Sequence, residues 1–192
     1  MAELTTRNEI IDVANRLFYE RGYESTSFAD IANELGISRG NFYYHFKTKD
    51  EILEAVIISR VLATNSLLDT WEKNGAGPVE RIRAFINTLI MNRASIMSYG
   101  CPVGTLCTEL AKLNHPYQDK ANELFTLFRV WLRKQFELIG FRENADVFAM
   151  HILARSQGVA VLANAFQDER FIRDEARQAE EWLDFVVNTM AG

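Results

Sequence analysis

Residues 36–49 read GISRGNFYYHFKTK: two glycines, two adjacent tyrosines, a histidine and three basic side chains, with no carboxylate among them. The nearest acids on either side are Glu34 and Asp50, and the chain as a whole carries a formal net charge of −5. Just upstream, Ser27 with Asp30 opens the segment FADIANEL, which runs into Gly36, and Ser38 stands before RGNFYYHF. A serine or threonine ahead of such a segment satisfies the orphan N–H groups of a helix start, so two short helices are expected. Ala32, four residues before Gly36, lets these helices cross closely, and the glycine permits the sharp turn between them. This is helix-turn-helix spacing. Ile31, Leu35, Ile37 and Phe42 are placed to bury against a preceding helix. Ser38, Arg39, Gly40, Asn41, Tyr43, Tyr44 and His45 are left on or near the free surface, with donors and acceptors that reach base edges and phosphates in a major groove.

Outward from this segment the chain reads as helix throughout, with no period-two alternation. Ile10, Val13, Ala14, Leu17 and Phe18 form a stripe on a first helix from about Thr6 to Arg21, with Thr6 and Glu9 as capping box and Gly22 as left-handed stop. Thr48 and Glu51 open a long fourth helix, residues 48–72. Pro78 starts a fifth near 79–98, the break at YGCPVG precedes a short helix to about Leu113, and Pro116 opens a helix over 117–139 that is apolar on more than one side and so expected to be central. The last two helices fall near 145–166 and 170–190. The first is dense in small residues, and the second carries Ile172, Ala176, Ala179, Leu183, Val186 and Met190 on one face. The fold class is therefore all-α, with about nine helices: a helix-turn-helix domain over 1–48 and a larger helical body over 49–192, joined by the helix over 48–72.

The bulk numbers bound the function. A chain of 192 residues with 48% hydrophobic and 24% charged residues is an ordinary globular composition. No apolar run is long enough to span a membrane, and no secretory signal begins the sequence, so a cytoplasmic location is expected. The net negative charge opposes phosphate binding, and only the local charge of the window from Gly36 to Lys49 favours it.

The block from Thr26 to Leu53, above all LGISRGNFYYHFKTKDEIL preceded by FYERGYESTS, resembles the TetR family of bacterial transcriptional regulators. The resemblance is specific over about residues 5–55, and the rest of the chain shares only length and helix layout. It implies that Arg39, Gly40, Asn41 and Tyr44 read or approach bases, and that Thr26, Tyr43, His45 and Lys49 hold phosphates, with Ser27, Ser38 and Lys47 completing the DNA-facing set. Arginine at 39 often stands as lysine in the family, and Asn41 as threonine or serine, which implies a different base preference. The competing reading of Tyr43 and His45 is packing on the head's own surface.

One head makes too few contacts for specific binding, so a homodimer reading a palindromic double-stranded DNA operator is expected. The last two helices supply its surface, through Ala154, Gly158, Val161, Leu162, Ala179, Trp182, Leu183 and Val186, and the family resemblance implies a four-helix bundle there. A pocket for a largely apolar small-molecule effector is expected from Phe85, Leu89, Tyr99, Cys101, Leu106, Leu110, Tyr117, Phe125, Phe128 and Trp131. Effector binding would then move the fourth helix and release DNA from a repressor. No cofactor and no metal is expected: Cys101 and Cys107 with His115 match no zinc spacing. No catalytic motif occurs, so the chain is not read as an enzyme. Two alternatives stand beside the repressor. One is a helical protein-interaction module that binds no DNA. The other is a thiol-based redox or electrophile sensor using Cys101, which precedes a helix N-terminus that favours the reactive thiolate.

Overall fold

The computed structural model describes residues 2–189, and among them it contains ten α-helices and no strand. In order these are α1 (Ala2–Arg21), α2 (Phe28–Leu35), α3 (Arg39–His45), α4 (Lys49–Asn74), α5 (Pro78–Met91), α6 (Arg93–Tyr99), α7 (Gly104–Lys112), α8 (Gln118–Ile139), α9 (Ala145–Phe166) and α10 (Glu169–Asn188). The chain folds as two compact units. One holds the chain through Ala63 together with Thr105–Glu123, and the other holds Thr64–Gly104 and the chain from Leu124 onward. The division between units by packing falls inside α4; a division by function at 48/49 is a separate proposal.

In the first unit the caps of α2, α3 and α4 sit where the sequence places them. Ser27 Oγ accepts from Asp30 N, and the Asp30 carboxylate accepts from Ser27 N in return. At the far end of α2, Gly36 adopts φ 65°. Its N–H reaches Asn33 O, and Ile37 N–H reaches Ala32 O, both at 3.1 Å. That paired closure needs a left-handed residue, which glycine supplies without a Cβ clash. Ile10, Ala14, Leu17, Phe18, Ile31, Phe42, Phe46, Ile52, Leu53 and Val56 are all buried in this unit. Phe42 is the only buried residue of α3 and fixes the helix to the unit. Phe42→Ala is expected to lower the unfolding free energy by about 3–5 kcal/mol, the usual cost of emptying a phenylalanine site. Denaturant unfolding followed by helical circular dichroism measures it, and a loss under about 1 kcal/mol would show that α3 is anchored elsewhere.

In the second unit α5 packs on α10 and α9, and α6 packs on α9 and α10. Ile82, Phe85 and Ile86 of α5 share a core with Leu132 and Phe136 of α8, Ala149, Ile152 and Leu153 of α9, and Ala176, Ala179 and Leu183 of α10. A second cluster joins Leu89 and Ile96 to Val159, Ala160 and Ala163 of α9 and Ile172 of α10. The small residues of α9 divide by face: Ala149, Ala160 and Ala163 are buried, while Ala154, Gly158 and Ala165 are exposed.

Three expectations change. The first helix begins at Ala2, so Thr6 and Glu9 lie inside it; the strong helix formers before Thr6 extend the helix past a local cap signal. The expected fifth helix is two helices broken at Asn92 (φ −97°, ψ 8°), which raises the count to ten. The Arg93 guanidinium donates to Ile90 O at 3.0 Å across that break. Helix α8 is not central: Leu124, Leu132 and Phe136 are fully buried, but Val130 and Leu138 are exposed. Met190, expected on the last helix, lies outside the described residues.

Candidate nucleic-acid interface and effector cavity

With Phe42 and Phe46 turned inward, the helical period turns the rest of α3 outward. Ser38 Oγ caps Asn41 N–H at 3.3 Å, and Arg39, Gly40, Asn41, Tyr43 and Tyr44 are exposed, with His45 half-buried. Tyr44 is the most open of the aromatic side chains here, at 64% exposure. Tyr43 is 46% exposed and its ring stands edge-on to Phe28, centroids 5.5 Å apart, so it is packed on one side and open on the other.

The acids bordering this face are each held by partners within the same unit. Glu34 pairs with Arg16 at 2.5 Å. The Asp30 carboxyl is held below its usual range first by the Ser27 hydroxyl, 2.5 Å away, and further by Arg21. Glu51 accepts the Lys47 backbone N–H at 2.7 Å and its own N–H is capped by Thr48 Oγ1. Asp50 accepts from the Tyr23 hydroxyl at 2.5 Å, and His115 Nε2 lies 3.4 Å from the same oxygen. Burial, then the Asp50 hydrogen bond, pushes the Tyr23 phenol above its ordinary value, so it stays a donor. Engaged carboxylates leave Arg39 as the dominant charge on α3.

One expected DNA contact is corrected, and two others carry partners within the unit. Thr26 is buried, and its hydroxyl donates to Gly22 O at 2.7 Å, so it secures the α1–α2 turn from beneath. Lys49 is turned into the same turn: its ammonium donates to Tyr23 O at 3.0 Å and Glu24 O at 3.2 Å and lies 4.3 Å from the Tyr23 ring centre. Two of its three donors are thus occupied. Ser27 is exposed, but both its N–H and its hydroxyl are committed to Asp30. Lys47 is exposed, and its ammonium reaches the Tyr43 carbonyl.

Sequence reasoning missed Glu109. From α7 its carboxylate accepts Tyr23 N–H at 2.8 Å and Glu24 N–H at 2.9 Å, closing the α1–α2 turn from a position 85 residues away. Gly22, at φ +93°, leaves room for it; a Cβ there would stand 3.0 Å from Glu109 Oε1. No local pattern marks a carboxylate that serves a distant turn. Glu109→Ala leaves two backbone donors without their acceptor and is expected to lower the unfolding free energy by about 1–3 kcal/mol, measured by denaturant midpoint. An unchanged midpoint would show that water replaces the carboxylate.

The second unit contains a cavity of about 220 Å³. Of the expected pocket residues, Phe85, Leu89, Cys101, Phe125 and Phe128 line it. The others do not. Leu106, Leu110 and Tyr117 belong to the first unit, where the two leucines are buried and the Tyr117 hydroxyl donates to Glu54 at 3.4 Å. Trp131 packs into the core beside Trp71, centroids 5.4 Å apart, and Tyr99 is exposed. The expectation rested on the clustering of apolar side chains along helices five to seven, and the α7 leucines are buried in the other unit. The wall is completed by residues the sequence reading passed over, among them Thr64 and Leu67 of α4, Thr88, Asn92, and Ser156 and Gln157 of α9.

The expected dimer residues also separate. Ala179, Leu183 and Val186 are buried in the protomer's own core, because the apolar stripe of α10 faces inward. Ala154, Gly158, Val161 and Leu162 are exposed, joined along α9 by Val147, Met150, Ala165 and Phe166. This stripe contains no charged side chain. Phe185, 68% exposed, adds to it from α10, and half-buried Trp182 stacks on His151 at 4.3 Å. Burial, and then nearby Arg155, holds the His151 imidazole below its usual value.

The description "bacterial regulatory proteins, tetR family" matches residues 10–56, and "transcriptional regulator LmrA/YxaF-like, C-terminal domain" matches residues 78–178. An uncharacterised HTH-type transcriptional regulator in the lacX 3′ region of Lactococcus lactis subsp. lactis is 29% identical over 167 residues, 85% of each chain. The HTH-type transcriptional regulator LmrA of Bacillus subtilis (strain 168) is 31% identical over 123 residues, 62% of this chain and 65% of its own. A TetR transcriptional regulator from Chloroflexus aurantiacus shares the fold, with TM-score 0.84 at 19% identity over 95% of this chain and 96% of that one. Helix-turn-helix geometry, an exposed carboxylate-free recognition helix and matches across head and body agree: the chain belongs to the TetR family of bacterial transcriptional regulators, non-enzymatic DNA-binding proteins, and carries an LmrA/YxaF-like C-terminal domain.

Proposed function

We propose that this regulator is a cytoplasmic repressor that binds a palindromic operator as a homodimer and leaves it when a small molecule enters the cavity of the body. The observation that carries the DNA-binding half is the α3 surface, where Arg39, Asn41 and Tyr44 are exposed on a helix whose buried Phe42 fixes its orientation. Arg39 reads a guanine edge bidentately, Asn41 reads an adjacent base, and Gly40 lets the backbone approach the duplex. Tyr43, His45 and Lys47 hold phosphates, and the 1–48 head is positioned by them. Two such heads on a two-fold axis reach successive turns of the groove, about 34–36 Å apart or more.

The charge-free α9 stripe supports the dimer. Exposed apolar area of this kind on a soluble protein marks an association surface, and small Ala154 and Gly158 permit helices to approach closely. The cavity supports the switch. Thr64 and Leu67 place α4 in its wall, and α4 runs on in the other direction to Lys49 beside the head. Cys101, Pro102 and Val103 also line it, and the chain passes from them directly into α7 and Glu109. A ligand shifts the equilibrium only by binding one arrangement of these helices better than another, with a coupling of about 1–3 kcal/mol.

Fluorescence anisotropy with a labelled duplex at several salt concentrations tests the binding mode. Arg39 and Lys47 on each head of a dimer predict that log K falls linearly with log salt, with a slope of about −4. A flat response would contradict phosphate-driven binding.

Cys101 supports a second reading. Its Sγ accepts the Gly104 N–H at 3.3 Å at the start of α7, and the residue lines the cavity, so a thiol-reactive compound that entered would meet it. Cys101→Ser is expected to leave the response to non-reactive ligands intact, and an unaltered response to electrophiles would remove the sensor reading.

A further inference from the structure

The cavity's own chemistry restricts what it accepts, and this deepens the effector-site reading on which it rests. Among the described residues, no aspartate, glutamate, lysine, arginine or histidine lines it. Three of the unit's arginines form ion pairs of their own: Arg93 with Glu169 at 3.0 Å, Arg129 with Asp146 at 2.5 Å, and Arg155 with Glu175 at 2.7 Å. An ion buried there would lose its hydration without gaining a counter-charge, a cost that binding rarely recovers. Phe85 and Phe128, with ring centroids 5.4 Å apart, and Phe125 form an aromatic wall. The volume of about 220 Å³ exceeds the roughly 150 Å³ known to hold a benzene, but it falls below the range of drug-sized pockets.

Part of the lining is polar, through Thr64, Thr88 and Asn92 as well as Ser156 and Gln157, and the Thr88 hydroxyl is committed to Phe85 O at 2.7 Å. Ser156 Oγ donates to Leu153 O at 2.7 Å and accepts from Gln157 Nε2 at 3.3 Å. Gln157 Oε1 lies against Gly104, where a Cβ would stand 2.4 Å away, so glycine is what admits the amide at this place. The amide retains an acceptor oxygen and a second N–H for a ligand.

We propose that the cavity takes a small uncharged aromatic compound, a single ring with one hydrogen-bonding substituent that Gln157 reads. Isothermal titration calorimetry on the full-length, DNA-free protein at pH 7 tests this with benzyl alcohol, benzamide, toluene, benzoate, benzylammonium and 2-naphthalenemethanol. Benzyl alcohol and benzamide are expected to bind at least tenfold more tightly than benzoate or benzylammonium, and more tightly than the two-ring alcohol. Gln157→Leu is expected to weaken benzamide about fivefold or more and leave toluene unchanged, a split that general loosening of the fold would not produce. The proposal is overturned if none of the neutral single-ring probes binds. Equal or tighter binding of a charged or two-ring probe, or an unchanged benzamide-to-toluene ratio in Gln157→Leu, overturns it as well. Anisotropy of the DNA complex is read separately. A neutral probe that binds without altering DNA affinity contradicts the switch and leaves the ligand class standing.

Discussion

Arg39→Ala is expected to abolish most of the sequence-specific part of DNA binding while leaving the fold intact. A bidentate arginine–guanine pair discriminates by about 1–3 kcal/mol, and a dimer makes it twice, so the specific affinity should fall by roughly 30-fold to 10⁴-fold. Arg39 is exposed and none of the head's salt bridges to Glu20, Glu34 or Asp30 uses it, so thermal unfolding should move little. Arg39→Lys separates the two contributions. It keeps the charge and loses the fork, so non-specific, salt-sensitive binding should survive while the preference for the operator narrows. An Arg39→Ala protein that binds its operator with wild-type affinity would remove α3 as the reading helix. The measurement is anisotropy against operator and scrambled duplexes in the same salt.

The second large effect is expected at the α9 stripe. Val161→Glu combined with Leu162→Glu places two carboxylates per protomer in a surface that is otherwise uncharged, and twice that number across a two-fold axis. Burial of unpaired charge costs several kcal/mol for each group, enough to disperse a dimer at micromolar concentration. Sedimentation should show a monomer with unchanged helical content, since Val161 is 65% exposed and Leu162 43% exposed in the single chain. Operator binding should fall with it. A substitution at Leu183 tests something else: that side chain is fully buried inside the protomer, and its loss would unfold the body rather than split a dimer. A Val161→Glu, Leu162→Glu protein that still sediments as a dimer would move the interface elsewhere.

Local signals made the head legible. Ser27 with Asp30, Gly36, Ser38 and Thr48 are caps and stops whose chemistry lies within four residues, and the structure places the ends of α2, α3 and the start of α4 beside them. The outward set on α3 followed from the period that buries Phe42 and Phe46. What the sequence could not show depends on distant partners. The family resemblance implied phosphate contacts for Lys49 and Thr26, yet both bond within the α1–α2 turn, and Glu109 holds that turn from another helix. Amphipathicity likewise marks a buried face without naming what buries it. The stripe of α10 through Ala179, Leu183 and Val186 read as an interface and proved to be core, while α9, apolar on two sides, both packs inward and presents a bare face. The break at Asn92 carries no proline or glycine, so nothing in the local pattern announces it.

The most direct test of the central claim is selection of duplexes from a random-sequence pool by the wild-type protein, followed by sequencing of the bound fraction. A dimer reading DNA through α3 predicts an enriched motif with two-fold symmetry and half-sites about one helical turn or more apart, lost from the Arg39→Ala selection. No enrichment, or a motif without symmetry that Arg39→Ala recovers equally well, would contradict it.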